Sequence, residues 1–185
     1  MAMNYFKLFK LFGLILLFES CNITATKQKY AFSLNDFFNQ EIIKLNAKNY
    51  KLNKTIVKGD SVFSNLIVKP DWDKELAIFK QYAVIKKTQL EQYSIDSFKM
   101  DNGTYFITYR AENISQALKL IETQYNKDRS IEKITLLIQE EKSLNNYDIN
   151  LTYLPQKGYD IKGEINSKIS NNLDLDIHGE ILENN

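Results

Sequence analysis

The stretch "NYDINLTYLPQKGYDIKGEIN", residues 146–166, decides the fold. Tyr147, Ile149, Leu151 and Tyr153 alternate with Asp148, Asn150 and Thr152, and then Tyr159, Ile161 and Ile165 alternate with Asp160, Lys162 and Glu164. Side chains of a strand point to opposite faces in turn, so a period of two sorts these residues into one apolar and one polar face. Pro155 and Gly158 lie between the two runs and suit a turn. The pattern predicts an antiparallel hairpin with one face on a core and one in water. The same alternation returns downstream, with Leu173, Leu175, Ile177 and Ile181 set against Asp174, Asp176, His178 and Glu180.

Upstream, runs 93–99 and 104–111 flank "MDNGT", whose Asn102-Gly103 is a hairpin signal. Runs 117–125 and 131–142 flank "NKDRS" and predict a second hairpin. The first of these also fits a helical spacing; the strand is the reading favoured here. "FITY", residues 106–109, places bulk on both faces and predicts a central strand. "KLNKTIVKGDSVFSNLIVKP" reads as two short strands around Gly59-Asp60. Two stretches have the helical period instead. In "SLNDFFNQEIIKLN", Leu34, Phe37, Phe38, Ile42 and Leu45 share a face, with Ser33 as the N-cap. In "PDWDKELAIFKQYA", Asp71 caps a stripe of Trp72, Leu76, Phe79 and Ala83, and Asp73 and Glu75 sit in the first turn, where the helix dipole favours acids. Together these predict an α+β domain over residues 33–185, with two N-terminal helices packed on a curved, meandering antiparallel β-sheet of roughly 7–9 strands.

The first thirty residues have a different character. Lys7 and Lys10 precede an unbroken apolar run from Leu11 to Phe18, and Glu19, Ser20 and Cys21 follow. A membrane span needs about 20 apolar residues, and this run is bounded well short of that. A basic start, a short apolar middle and a small residue before a cut describe a secretory signal. Residues 1–20 are therefore expected to be removed, with residues 21–32 forming a tether. Leu17, Ser20 and Cys21 resemble the lipobox of bacterial lipoproteins, in which the cysteine is acylated and becomes the first residue of the mature chain. That resemblance implies a membrane anchor through lipid on Cys21.

"DWDKELAIF" and "LTYLPQKGY" resemble a family of uncharacterised, flavobacterial-type lipoproteins of Bacteroidota. The matching residues are Asp71, Trp72, Lys74, Glu75 and Leu76, then Leu151, Thr152, Tyr153, Pro155, Gly158 and Tyr159. They are caps, core positions and turns, so the resemblance implies a fold and an anchor but no chemistry. Surface export in that phylum is similar to a rule that needs acids directly after the cysteine. "CNITATKQK" has none, which implies attachment to the outer membrane facing the periplasm. Asp60-Ser61-Val62 resembles the same phylum's O-glycosylation site, with Ser61 as acceptor; an ordinary hairpin turn is the favoured reading.

Composition narrows the function. Without Lys7, Lys10 and Glu19 the formal charge falls from +1 to zero, so no basic field exists to gather phosphates and nucleic acid is not expected as a partner. Removing 20 residues from 185 leaves 165, enough for one domain with a real core. A single cysteine excludes a disulfide framework and zinc sites of cysteine and histidine. His178, the only histidine, shares a strand face with Asp176 and Glu180, and the three are the candidate metal ligands. Same-face neighbours stand ~6.5–7 Å apart along a strand, so a solvated face is the favoured reading. No phosphate-binding loop, nucleophile elbow or H-E-x-x-H motif occurs. No cofactor and no catalytic residue is assigned. Three functions are carried forward in order: a non-catalytic envelope lipoprotein that binds an envelope protein or serves structurally, a carrier of a lipid or other apolar ligand, and a carboxylate-based hydrolase.

Overall fold

Ser33 opens the first helix by accepting a 3.1 Å hydrogen bond from the Asp36 N–H, which satisfies an amide that the helix itself leaves unpaired. The computed structural model describes residues 33–83, 90–169 and 171–183. Helix α1 (Leu34–Ala47) buries Leu34, Phe38, Glu41, Ile42 and Leu45. A hairpin follows, β1 (Lys51–Lys58) and β2 (Ser61–Ile67), turning at Gly59 with φ of 55°. Asp71 then caps α2 (Trp72–Glu75), and α3 (Ala77–Ala83) continues it after a break at Leu76. The predicted stripe holds across both pieces: Trp72, Leu76, Phe79 and Ala83 are all buried.

The remaining strands are β3 (Tyr93–Lys99), β4 (Tyr105–Ala111), β5 (Leu118–Tyr125), β6 (Ile131–Glu141), β7 (Asn145–Leu154), β8 (Gly158–Ser167) and β9 (Leu173–Leu182). All nine form one antiparallel sheet in the order β2-β1-β9-β8-β7-β6-β5-β4-β3. Strands β3 to β9 are a meander, each beside the next. The early hairpin then docks on the last strand, with Leu52 opposite Ile181 and Thr55 opposite His178.

Two expectations need correction. The helices are not a pair at the N-terminal side of the sheet. Among the described residues only α1 precedes the strands, whereas α2 and α3 follow β2. The early hairpin belongs to the sheet at one end and β3 lies at the other, so the second helix occupies the connection between opposite edges. Second, "FITY" is not central: β4 is one strand in from the β3 edge. Ile107 and Tyr109 face the core, while Phe106 stands opposite the exposed Phe98 on the other face. On that face Phe106 is half-buried and Thr108 buried, so bulk on both faces occurs here near the edge of the sheet and not at its centre.

Residues 118–125 are strand, and the register explains their helical look. A bulge between Leu118 and Leu120 shifts the parity, so Leu118 and Ile121 both face the core three residues apart, the separation a helix would use. The predicted turns hold as well. At the hinge of the deciding hairpin, the Lys157 N–H donates to the Leu154 carbonyl at 3.0 Å, Pro155 sets the first central position, and Gln156 takes a φ of 56°.

The core lies between the helices and one face of the sheet. Its centre is aromatic. Phe38 of α1 packs on Phe79 of α3 and on Tyr153 of β7 with ring centroids 5.4 and 5.3 Å apart, and Phe79 meets Tyr153 and Tyr159 at 5.7 and 6.0 Å. All four rings are almost fully buried, so side chains fill the middle of this interface. Thr123 of β5 sits fully buried in the same layer, between Ile107 and Ile134, and its hydroxyl has no hydrogen-bond partner among the described residues. A buried hydroxyl without a partner costs about 1–3 kcal/mol in protein mutational data. Thr123→Val keeps the branched shape and removes that cost, and is expected to raise stability by about 1 kcal/mol in urea unfolding with an unchanged slope.

Candidate functional site

Two carboxylates on the helices meet two phenols on the sheet. Glu41 of α1 is 1% exposed and accepts a 3.1 Å hydrogen bond from the Tyr153 hydroxyl. Its other oxygen lies 2.8 Å from the Lys44 ammonium at the surface. Glu75, at the end of α2, accepts from the Tyr159 hydroxyl at 2.6 Å and pairs with Lys54 of β1 at 2.7 Å. Tyr153 and Tyr159 are directly opposite each other in the β7–β8 ladder. Each therefore fastens a different helix to adjoining positions on the sheet.

The hairpin is shaped to allow this. Tyr159 also stands opposite Gly179 of β9, and a Cβ on Gly179 would lie 2.5 Å from the tyrosine ring. The bare backbone leaves the ring room to lie across β9. Gly158 is constrained likewise, since a Cβ there would stand 2.2 Å from the Gly179 carbonyl oxygen. Glu41 and Glu75 were missed as partners of the sheet. The signal was present, because Glu41 follows Phe38 by three residues and precedes Ile42, within the apolar stripe.

Burial, then the adjacent carboxylate, raises the pKa of Tyr153 and of Tyr159 far above the ordinary phenol value. Burial raises Tyr93 and Tyr109 as well. In the unfolded chain these phenols ionise near pH 10, while the folded chain keeps them protonated. The folded state then holds more protons, so stability is complete below that pH and falls as the pH rises above it. Tyr153→Phe leaves a buried carboxylate short of a donor and should cost about 1–3 kcal/mol at neutral pH. The same variant should lose less stability than the parent between pH 9 and 11 (roughly the span of phenol ionisation), as read by thermal unfolding at each pH.

The opposite face of the sheet is polar and open. Here the structure places the predicted metal candidates side by side but gives each a different neighbour. The His178 Nδ1 lies 2.8 Å from Asp160 of β8, Asp176 lies 3.7 Å from the Lys162 ammonium, and Glu180 accepts from the Asn53 amide at 3.5 Å. Among the described residues, no three histidine, cysteine, aspartate or glutamate side chains converge on a common point. The three acids of the second helix also diverge. Asp71 caps α2 and pairs with Lys74, which lowers its pKa, Asp73 pairs with Lys80, and Glu75 turns inward. Ser61 is exposed as the first residue of β2, opposite Lys58. Cys21, the expected leader and the expected tether lie outside the described residues.

A shallow cleft of about 400 Å³ opens on the polar face among Lys133, Asn150, Thr152, Leu154, Asp160 and Lys162. Its ammonium, amide and hydroxyl groups can hydrogen-bond a small polar molecule. Hydrolysis by paired carboxylates needs two acids at one cleft, and this one is lined by Asp160 alone. His178→Ala should change stability by no more than about 0.5 kcal/mol, because its contact with Asp160 is half in water. Chemical denaturation with and without added zinc checks this, and a metal-dependent gain in the parent chain would restore the metal reading.

The exposed apolar side chains gather elsewhere. Along one row of the helix-covered face, Ile161, Ile177, Ile56 and Phe63 are successive neighbours on β8, β9, β1 and β2. They pass from buried through half-buried to 63% exposed at Phe63. Val62 and Leu66, on the other face of β2, are 64% and 51% exposed, and Val68 just beyond is 56% exposed. The edge strand is thus apolar on both faces. Compared with protein-family models, curated proteins and solved structures, the chain finds no match in any of the three.

Proposed function

We propose that this chain is a non-catalytic cell-envelope lipoprotein of the Bacteroidota type it resembles, held by lipid on Cys21 at the outer membrane and facing the periplasm, whose domain acts as a binding or structural module. The observation that carries the module reading is the apolar β2 edge. Exposed apolar side chains concentrated on one strand suit a contact site. An edge strand adds unpaired backbone groups that a partner can complete. We read the sheet as curved around α1, α2 and α3, which leaves its β1–β2 end as the presenting surface. The filled aromatic centre favours a rigid platform over a container for an apolar ligand.

Several acyl chains would hold such a domain firmly, since each buried methylene contributes ~0.8 kcal/mol. Metabolic labelling with palmitate in a native host tests the anchor. The parent chain should take the label and lose residues 1–20, as read by intact mass, while Cys21→Ser should remain unlabelled and retain the leader. A labelled Cys21→Ser chain would overturn the lipoprotein reading.

A further inference from the structure

We propose that β2 pairs antiparallel with β2 of a second copy of this chain, across a two-fold axis at Ser64, so that two nine-stranded sheets become one. This rests on reading the β2 edge as the contact surface and names its occupant.

The backbone of β2 is available for it. The two-residue turn Gly59-Asp60 closes the hairpin at the pair Lys58 and Ser61. The closing pair of such a turn exchanges hydrogen bonds, and bonded and non-bonded pairs then alternate along the ladder. Ser61, Phe63, Asn65 and Ile67 therefore direct their backbone groups to β1, while Val62, Ser64 and Leu66 direct theirs outward. β2 ends the strand order, so no strand among the described residues takes them up.

The side chains are self-complementary. With Ser64 on the axis, Val62 of each copy stands opposite Leu66 of the other on one face. On the other face, Ser61 stands opposite Ile67 and Phe63 opposite Asn65. No residue from 61 to 67 is charged, so no ion is driven from water and no like charges meet. Charge lies only beyond the ends, where the register brings Asp60 of one copy beside Val68 and Lys69 of the other. The zero formal charge expected without residues 1–20 adds no long-range repulsion between copies.

The other edge shows what a defended strand looks like. β3 also exposes Ile95 and Phe98, but it carries Asp96 at its centre and Lys99 at its end. Charges on an edge are a common barrier to strand addition. With one edge open and one defended, pairing closes at two copies and cannot propagate into a fibre.

Thiol crosslinking of the full chain tests this, in native membranes and after purification in detergent. Ser64→Cys treated with a short bis-maleimide should give a covalent dimer. The unsubstituted chain, which reports any contribution from Cys21, and Ser97→Cys on β3 should give little. Leu66→Lys in the Ser64→Cys background places a lysine in each half of the contact and should reduce the dimer roughly tenfold or more. Its circular dichroism should match the parent, because the site is exposed in the single chain, and its melting should match that of the parent diluted until the dimer dissociates. If Ser64→Cys crosslinks in membranes to a different polypeptide, self-pairing is overturned and the contact surface stands. If it crosslinks to nothing and the chain sediments as a monomer, both readings fall.

Discussion

Tyr153 and Tyr159 face each other across the β7–β8 ladder, and the helical layer depends on what their hydroxyls hold. A helix laid on a sheet by apolar contact alone has latitude to slide and rotate. Here each helical unit carries one carboxylate that must find a donor, because a carboxylate away from water costs several kcal/mol unless it is hydrogen-bonded. Glu41 can satisfy that need at Tyr153, and Glu75 at Tyr159 with Lys54 beside it. The aromatic contacts of Phe38 and Phe79 supply attraction; the carboxylates supply position. Two glycines complete the arrangement: Gly179 makes room for the Tyr159 ring, and Gly158 lets the two backbones approach beside it.

Seen this way, the two short motifs of the sequence are halves of one joint. Trp72, Glu75 and Leu76 come from the first, Tyr153, Gly158 and Tyr159 from the second, and the joint closes at the bond between Glu75 and Tyr159. Their residue types follow from packing and hydrogen bonding within the domain. The polar face of the sheet is the opposite case. There Asp176, His178 and Glu180 each look to a neighbour on an adjoining strand, and the pairs are spread over an open surface rather than gathered into a site.

Local structure was legible because the chain is locally consistent. Alternation over 146–166 placed two strands and their turn, and the caps at Ser33 and Asp71 placed two helices, since each signal acts within a few residues. What escaped was set by partners distant in the chain. Nothing near Leu52 says that Ile181 will lie opposite, so the docking of the first hairpin on the last strand was invisible, and with it the position of the second helix. "FITY" misled for a related reason: double-sided bulk describes a strand's immediate surroundings, not its rank in the sheet. Glu41 could have been found, as a lone acid on an apolar stripe. Of the sites, the sequence suggested a cluster at Asp176, His178 and Glu180, but only the register could show that these residues look to different strands.

The pairing of β1 with β9 also orders events in time. Strands β3 to β9 can zip in sequence, each beside a neighbour already made, because their contacts are short in chain distance. The β1–β2 hairpin has no such recourse. Its docking position exists only once Leu173–Leu182 is in place, so during synthesis it waits with both of its edges unpaired. A domain assembled this way gains its first strands last, and the interval before β9 arrives is when a chaperone has most to protect.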